Sequence, residues 1–184
     1  YYPEWDQDWE PVEGGDSLPS AEAVERLKAN YYGECTFVDK QVGRLVATLT
    51  RKGLLDNTLL VVLSDHGTGL MDHGRMGKMQ GSMYRHNHEI LALFRFPKAE
   101  FAGRRVQGFA QNQDVFPTIM SLLNVDGPSV DGVDLMPLVR GESEAVRDCV
   151  ITGWGDLATV RTHDYAYSVE YANADHLNET LFDI

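Results

Sequence analysis

Leu59-Leu60-Val61-Val62-Leu63-Ser64-Asp65-His66-Gly67 is the stretch that decides how this chain reads. A β-branched, all-apolar run stops abruptly at a polar turn. That is the pattern of a buried parallel strand delivering polar groups at its carboxyl end. Downstream stand a second Asp-His-Gly (Asp72-His73-Gly74), a lone Lys78, and two more histidines, His86 and His88. Four of the six histidines therefore fall within 23 residues. Open α/β sheets keep their chemistry at such strand ends, so this stretch carries the candidate site.

Working outward, Ser20 suits a helix N-cap and Glu22 its first turn. Apolar residues then recur at Val24, Leu27, Tyr31, Cys35, Val38, Val42, Leu45 and Leu49, in steps of 3 and 4. This spacing predicts one long helix with a continuous apolar stripe, stopped at Gly53 behind Arg51 and Lys52. Helix followed by strand is half of a βαβ layer and calls for an earlier parallel strand. Residues 1–19, aromatic, acidic and bearing Pro3 and Gly14-Gly15, read as irregular loop and do not supply it.

On the other side of the motif stretch, residues 90–96 read as a second apolar strand closed by Pro97, and 106–110 as a short apolar run. Asn112 or Asp114 opens a helix running to Leu123, with Pro117 tolerated in its first turn. Residues 135–139 read as a short helical piece ended by Gly141. Segments 149–152, 158–162, 165–170 and 181–184 have strand character with turn residues between them, an antiparallel addition. The expected organisation is an α/β core over residues 20–140, with 141–184 as short strands after it.

With 184 residues and 43% apolar composition, the chain can bury a core. A net charge of −12, from 16 basic and 28 acidic residues, disfavours nucleic acid or an anionic membrane as a partner. Only 5 of the basic residues are lysines, a feature of salt-adapted surfaces that ordinary solvation accounts for equally well. Cys35 and Cys149, the only cysteines, make neither a disulfide framework nor a CxxC site and read as buried thiols. No apolar run reaches the roughly 18–20 residues of a membrane span, and no secretory apolar segment is visible. The start at Tyr1 and the strand-like end lead us to expect a processed or partial polypeptide.

Asp65 and His66, adjacent at a strand end, are an oxygen and a nitrogen donor suited to a divalent cation. The same pair can instead bond to each other and to loop amides, and the spacing leaves both readings open. Gly67 allows a close backbone approach. Lys78 sits in a Gly-rich loop, where an ammonium can neutralise a tetrahedral anion; isolated lysines are more commonly solvated surface groups. His73 is placed to protonate a leaving group or donate to a bound anion. His86 and His88 would share a face in a strand but not in a helix. No HExxH, GxSxG, GxxxxGK[ST] or GxGxxG occurs, which argues against self-sufficient zinc, serine-hydrolase, P-loop and dinucleotide sites.

The ordered series is more specific than any one motif. Asp56-Asn57-Thr58 leads into the strand and Asp65-His66-Gly67. Asp72-His73-Gly74-Arg75-Met76-Gly77-Lys78, Met83-Tyr84 and Phe94-Arg95-Phe96-Pro97 follow. Then come Gln113-Asp114-Val115-Phe116-Pro117-Thr118, Gly132-Val133-Asp134-Leu135-Met136-Pro137-Leu138, Arg161-Thr162-His163-Asp164-Tyr165 and Glu179-Thr180-Leu181-Phe182-Asp183. With Tyr31, Asp39 and Gly43 before them, these resemble the carboxyl-terminal portion of the sulfatase family in the alkaline-phosphatase superfamily. The resemblance implies part of an alkaline-phosphatase-like three-layer α/β sandwich with a mixed sheet, followed by a small antiparallel element. It implies that Asp65 and His66 coordinate one divalent cation, calcium above magnesium, manganese or zinc. Lys78 would contact the non-bridging oxygens of a sulfate or phosphate ester, with His73 near the anion pocket. The family's nucleophile, a formylglycine made from Cys or Ser in a Cys/Ser-x-Pro/Ala-x-Arg motif, is expected in a missing amino-terminal half. Neither Cys35 nor Cys149 has that context.

One departure stands out. After the lysine the family runs Tyr-Glu-x-x-x-Arg-x-Pro, whereas this chain has Tyr84-Arg85-His86-Asn87-His88-Glu89-Ile90-Leu91. Acid and base are exchanged between Arg85 and Glu89, and Leu91 replaces the proline. The exchange makes Tyr84, His86 and His88 substrate-pocket candidates. The expectation is part of a metal-dependent sulfuric ester hydrolase acting on a small-molecule or glycan sulfate ester, inactive as the isolated chain. The alternatives are part of a phosphate or phosphonate ester hydrolase on the same scaffold, or a non-catalytic sulfatase-like binding module.

Overall fold

Ser20 caps the first helix, its Oγ accepting from the Ala23 N–H at 3.2 Å, in a computed structural model that describes residues 20–74, 76–78, 84–170 and 178–183. The expected loop over residues 1–19 and the motif residues Arg75 and Met83 lie outside the described residues. Helix α1 (Ala21–Arg51) runs 31 residues and gives way at Gly53, whose φ of +66° suits a residue without a Cβ. Its apolar stripe forms, yet no residue of α1 is buried, and Tyr31, Tyr32, Phe37 and Val38 stand exposed. Cys35 is exposed too, which corrects its reading as a buried thiol; Cys149 is half-buried.

Strand β1 (Leu60–Leu63) follows a 3-10 turn at Leu55–Asn57. It pairs antiparallel with β4 (Ala92–Arg95), in register from Leu60 opposite Arg95 to Leu63 opposite Ala92. The expectation of a buried parallel strand is thus corrected in two respects. The pairing described is antiparallel, and β1 is only half-buried, because β4 is its one strand partner among the described residues. Arg95 ties this ribbon to the 3-10 turn, donating to the Leu55 carbonyl at 2.6 Å and to Asp56 at 3.3 Å.

Between the two strands the chain forms a small hairpin that the sequence pattern did not reveal. Strands β2 (Gly69–Leu70) and β3 (Met76–Gly77) flank a tight turn at Asp72–Gly74. Residues 85–88 make one helical turn, α2 (Arg85–His88).

Past β4, the Gln111 side chain accepts from the Asp114 backbone while the Asp114 carboxylate accepts from the Gln111 N–H at 2.7 Å. This capping box starts a 3-10 turn at Asn112–Asp114 and then α3 (Val115–Leu123), which ends at Asn124 in the left-handed conformation. The short run at 106–110 is no strand. Helix α4 (Met136–Arg140) stops at Gly141, φ +74°. An antiparallel four-stranded sheet completes the chain: β5 (Val150–Trp154), β6 (Leu157–Arg161), β7 (Tyr165–Glu170) and β8 (Asn178–Asp183), in that order.

The core lies under the helix α3–α4 region and the last sheet, where Phe96, Leu135, Met136, Leu138, Val150 and Ala166 are buried. Asp114, with no exposed surface, is its polar pin. It accepts both Arg147 guanidinium nitrogens and the Val133 N–H, and its carbonyl accepts from Thr118. The fold is α/β with a small antiparallel sheet after it, as expected. No described helix is long and apolar enough to cross a membrane.

Candidate active site

The strand end at Ser64 is held from both sides. The Ser64 N–H donates to the Leu91 carbonyl and its Oγ accepts from the Leu91 N–H, each at 3.1 Å. Asn112 Nδ2 reaches the Ser64 and Asp65 carbonyls at 3.4 and 3.5 Å. Gly67 donates to the Asn87 carbonyl at 2.8 Å, and a Cβ built on Gly67 would sit 2.0 Å from the His86 carbonyl oxygen. Only glycine allows this turn to lie against α2.

Asp65 and His66 emerge from that turn. The Asp65 Oδ1 accepts the His66 backbone N–H at 2.9 Å. That bond is the main reason the carboxyl titrates below its ordinary value, with smaller help from the Lys78 ammonium against an opposing desolvation. The His66 ring lies between two partners: Nδ1 is 2.8 Å from the Gly67 carbonyl and Nε2 is 3.1 Å from Lys78 Nζ. A carbonyl can only accept and an ammonium can only donate, so the proton is on Nδ1 and a lone pair on Nε2. Asp65 Oδ2 lies 3.6 Å from that same nitrogen. The imidazole lone pair thus faces the Lys78 ammonium, and the Asp65 carboxylate lies beside the imidazole. These two side chains fit a divalent cation as part of a larger ligand set; among the described residues no group of three or more metal-ligating side chains forms.

A second cluster stands beside the hairpin. His73 occupies the left-handed region, φ +51° and ψ +29°, which a residue with a Cβ adopts only when its surroundings hold it there. Its ring stacks on Tyr84 with centroids 4.0 Å apart and planes 14° apart. His86 lies 5.8 Å from His73 and 5.9 Å from Tyr84, so α2 and the hairpin turn contribute to one triangular cluster of rings. Asp72 turns back to accept the Leu70 N–H at 2.9 Å, and that bond chiefly lowers its pKa, with His86 and His73 adding to it.

The helical turn separates the two remaining candidates. His86 belongs to the ring cluster, whereas His88 lines a cavity of about 420 Å³ together with Glu89, Phe94, Phe109, Asn112 and Arg161. Arg85 and Glu89, exchanged relative to the family pattern, do touch, as an i,i+4 ion pair. Glu89 also lies 3.9 Å from Arg161 of β6. Sequence reading missed Asn112 and Asp114 as supports of the site; the Gln111–Asp114 box is the signal that was there to be used.

An α/β ribbon ending in Asp-His-Gly, with a lysine on the histidine, defines a class. Residues 2–125 match the family described as Sulfatase, and the chain belongs to that family, with the alkaline-phosphatase-superfamily fold. It is similar to the N-acetylglucosamine-6-O-sulfatase of Bacteroides thetaiotaomicron, 32% identical over 83% of this chain and 26% of the relative. Among solved structures it superposes on a protein in complex with its substrate D-glucosamine-2-N,6-O-disulfate, TM-score 0.79 and 26% identity, over 90% of this chain and 36% of the other. It also superposes on the phosphonate monoester hydrolase of Silicibacter pomeroyi, TM-score 0.76 and 29% identity, over 91% and 37%. The chain spans about a quarter to a third of the length of the curated relatives it matches.

Proposed function

We propose that this chain is part of a metal-dependent sulfuric ester hydrolase whose nucleophile, a formylglycine, belongs to an amino-terminal portion outside these residues. The observation that carries the reading is the Lys78–His66–Asp65 contact, 3.1 Å from ammonium to imidazole Nε2 with the carboxylate alongside. Asp65 and His66 would hold one divalent cation, calcium by preference, which supplies Lewis-acid polarisation of the ester. Lys78, which meets His66 here, would contact the non-bridging oxygens of the anion and stabilise the charge developing on them. His73, whose ring stacks on Tyr84, would be the proton donor to the leaving group. Tyr84 and His86 form the adjoining wall of the substrate site, and His88 meets substrate by way of the cavity behind α2. The separate chain lacks the nucleophile and is inactive by itself. The substrate is a small-molecule or glycan sulfate ester, a class supported by the similarity to glucosamine-sulfate-handling relatives.

A second reading is favoured by the likeness to the phosphonate monoester hydrolase: the same residues serve a phosphate or phosphonate ester with a different nucleophile. The test is to assay the complete polypeptide, parent and Lys78→Ala, against matched aryl sulfate, phosphate and phosphonate esters. Loss of one transition-state donor is expected to lower kcat/KM by about 10²–10³-fold on the true ester class. Unchanged kcat/KM sinks the role of Lys78. Activity confined to phosphorus esters transfers the site to the second reading, and no hydrolysis of any ester leaves the non-catalytic module.

A further inference from the structure

We infer that Glu89 is a positioning residue: it fastens the α2 turn, and with it the Tyr84–His86 wall and the Gly67 contact, to Arg161 of the carboxyl-terminal sheet. This rests on the reading of the ring cluster as substrate wall, and extends it to what holds the wall.

Two arginines meet Glu89. Arg85 is 72% exposed and pairs with Glu89 one helical turn away, an arrangement that contributes little by itself. Arg161 differs. Its side chain is only 13% exposed, and among the described residues Glu89 is the one carboxylate within 4.0 Å of it. A guanidinium that is mostly removed from water needs its counter-ion far more than a solvated one does. The exchange of acid and base between positions 85 and 89 therefore puts the acid where β6 can use it. An arginine at 89 would oppose Arg161 across the cavity wall.

What Glu89 holds is next to the chemistry. Tyr84 and His86 lie three to five positions before it and stack with His73. The Asn87 carbonyl receives the Gly67 N–H, so a shift of α2 moves the Asp65-His66-Gly67 turn as well. The same sheet is tied to the other side of that turn. Gln111 donates to the Ile151 carbonyl at 2.7 Å, Arg147 pairs with Asp114, and the neighbouring Asn112 reaches the Asp65 carbonyl. The last sheet thus braces the strand end from both sides, and among the described residues the connection through Glu89 is the one that reaches the ring cluster.

The decisive measurement is hydrogen exchange, followed by mass spectrometry, on the complete polypeptide. Arg161→Gln and Glu89→Gln are each expected to speed exchange of amides 84–90 by roughly tenfold, while β5–β7 stay as protected as in the parent. Arg85→Gln is expected to leave 84–90 within about twofold of the parent, as an exposed i,i+4 pair would. The reversed pair, Glu89→Arg with Arg161→Glu, restores protection despite placing two arginines at 85 and 89. If Arg161→Gln unfolds the sheet, Arg161→Lys takes its place, with partial loss expected. Unchanged exchange of 84–90 in the Arg161 variants, or an equal effect from Arg85→Gln, overturns the inference. In activity assays Arg161→Gln is expected to raise KM about tenfold with kcat within about twofold, the signature of a displaced binding wall. A polypeptide that hydrolyses no ester defeats the functional reading alone, since the exchange experiment still decides the role of Glu89.

Discussion

Gly67 shows how much a single position can decide at the site. Its missing Cβ would otherwise lie 2.0 Å from the His86 carbonyl oxygen, which is backbone and cannot swing aside. Gly67→Ala must therefore push α2 away and lose the 2.8 Å bond to Asn87. The expected cost is about 1–3 kcal/mol, the range for overpacking a close contact, read from urea denaturation of parent and variant. A variant as stable as the parent would falsify the contact. Asp72 supports the neighbouring hairpin through its bond to the Leu70 N–H, and that bond is what lowers its pKa. A depressed carboxyl contributes fully above the unfolded value of about 3.9 and loses its contribution as pH falls through the lower folded value. The turn at Asp72–Gly74 is thus expected to stay intact at pH 4 to 5, roughly at and just above that unfolded value, and to open only in stronger acid. Carbon-13 titration of the carboxyl checks this, and a midpoint at or above the ordinary value rules it out. That Asp65, His66 and Lys78 adjoin at one strand end was legible in the sequence, because strand-end position and family spacing both mark them; their roles belong to the proposed function. The left-handed His73 and the ring stack were not, since neither leaves a trace in composition or period.

Among the elements, those that announced themselves did so through strong local signals. The stripe from Val24 to Leu49 and the Ser20 cap gave α1 almost residue for residue, and β7 matches its expected bounds. The pairing of β1 escaped because apolar continuity says that a strand is flanked on both faces, not which way its neighbour runs. The β2–β3 hairpin escaped because two-residue strands carry no alternation to read. The support that matters most to α3 was visible only as a helix start. Asp114 has no exposed surface and bonds to Gln111, Val133 and both nitrogens of Arg147. Asp114→Ala leaves the Arg147 guanidinium without its charge partner, a change expected to cost about 3–5 kcal/mol. Chemical denaturation monitored at the carboxyl-terminal sheet measures it. A loss under about 1 kcal/mol, typical of an exposed pair, would contradict the burial of this one.

At the scale of the molecule, an α1 with no buried residue and the proposed cation site, with its two side-chain donors, belong to one pattern. Each is a surface or a charge arrangement that the described residues leave half-completed, in a chain spanning about a quarter to a third of its curated relatives. The cation site gives this pattern a number. Calcium takes about six to eight oxygen ligands, and Asp65 supplies one carboxylate. His66 supplies a nitrogen whose lone pair already faces Lys78 at 3.1 Å, so an entering cation must first displace an ammonium from it. The separate 184-residue chain is therefore expected to bind calcium no more tightly than about 10⁻⁴–10⁻³ M, in the range of sites with few charged ligands. Calorimetric titration reads this directly, and Asp65→Asn should abolish even that weak heat. Submicromolar affinity for the separate chain would mean that it assembles a full ligand set unaided. The same titration on the complete polypeptide is expected to give much tighter binding, because the proposed function draws the remaining ligands from outside these residues.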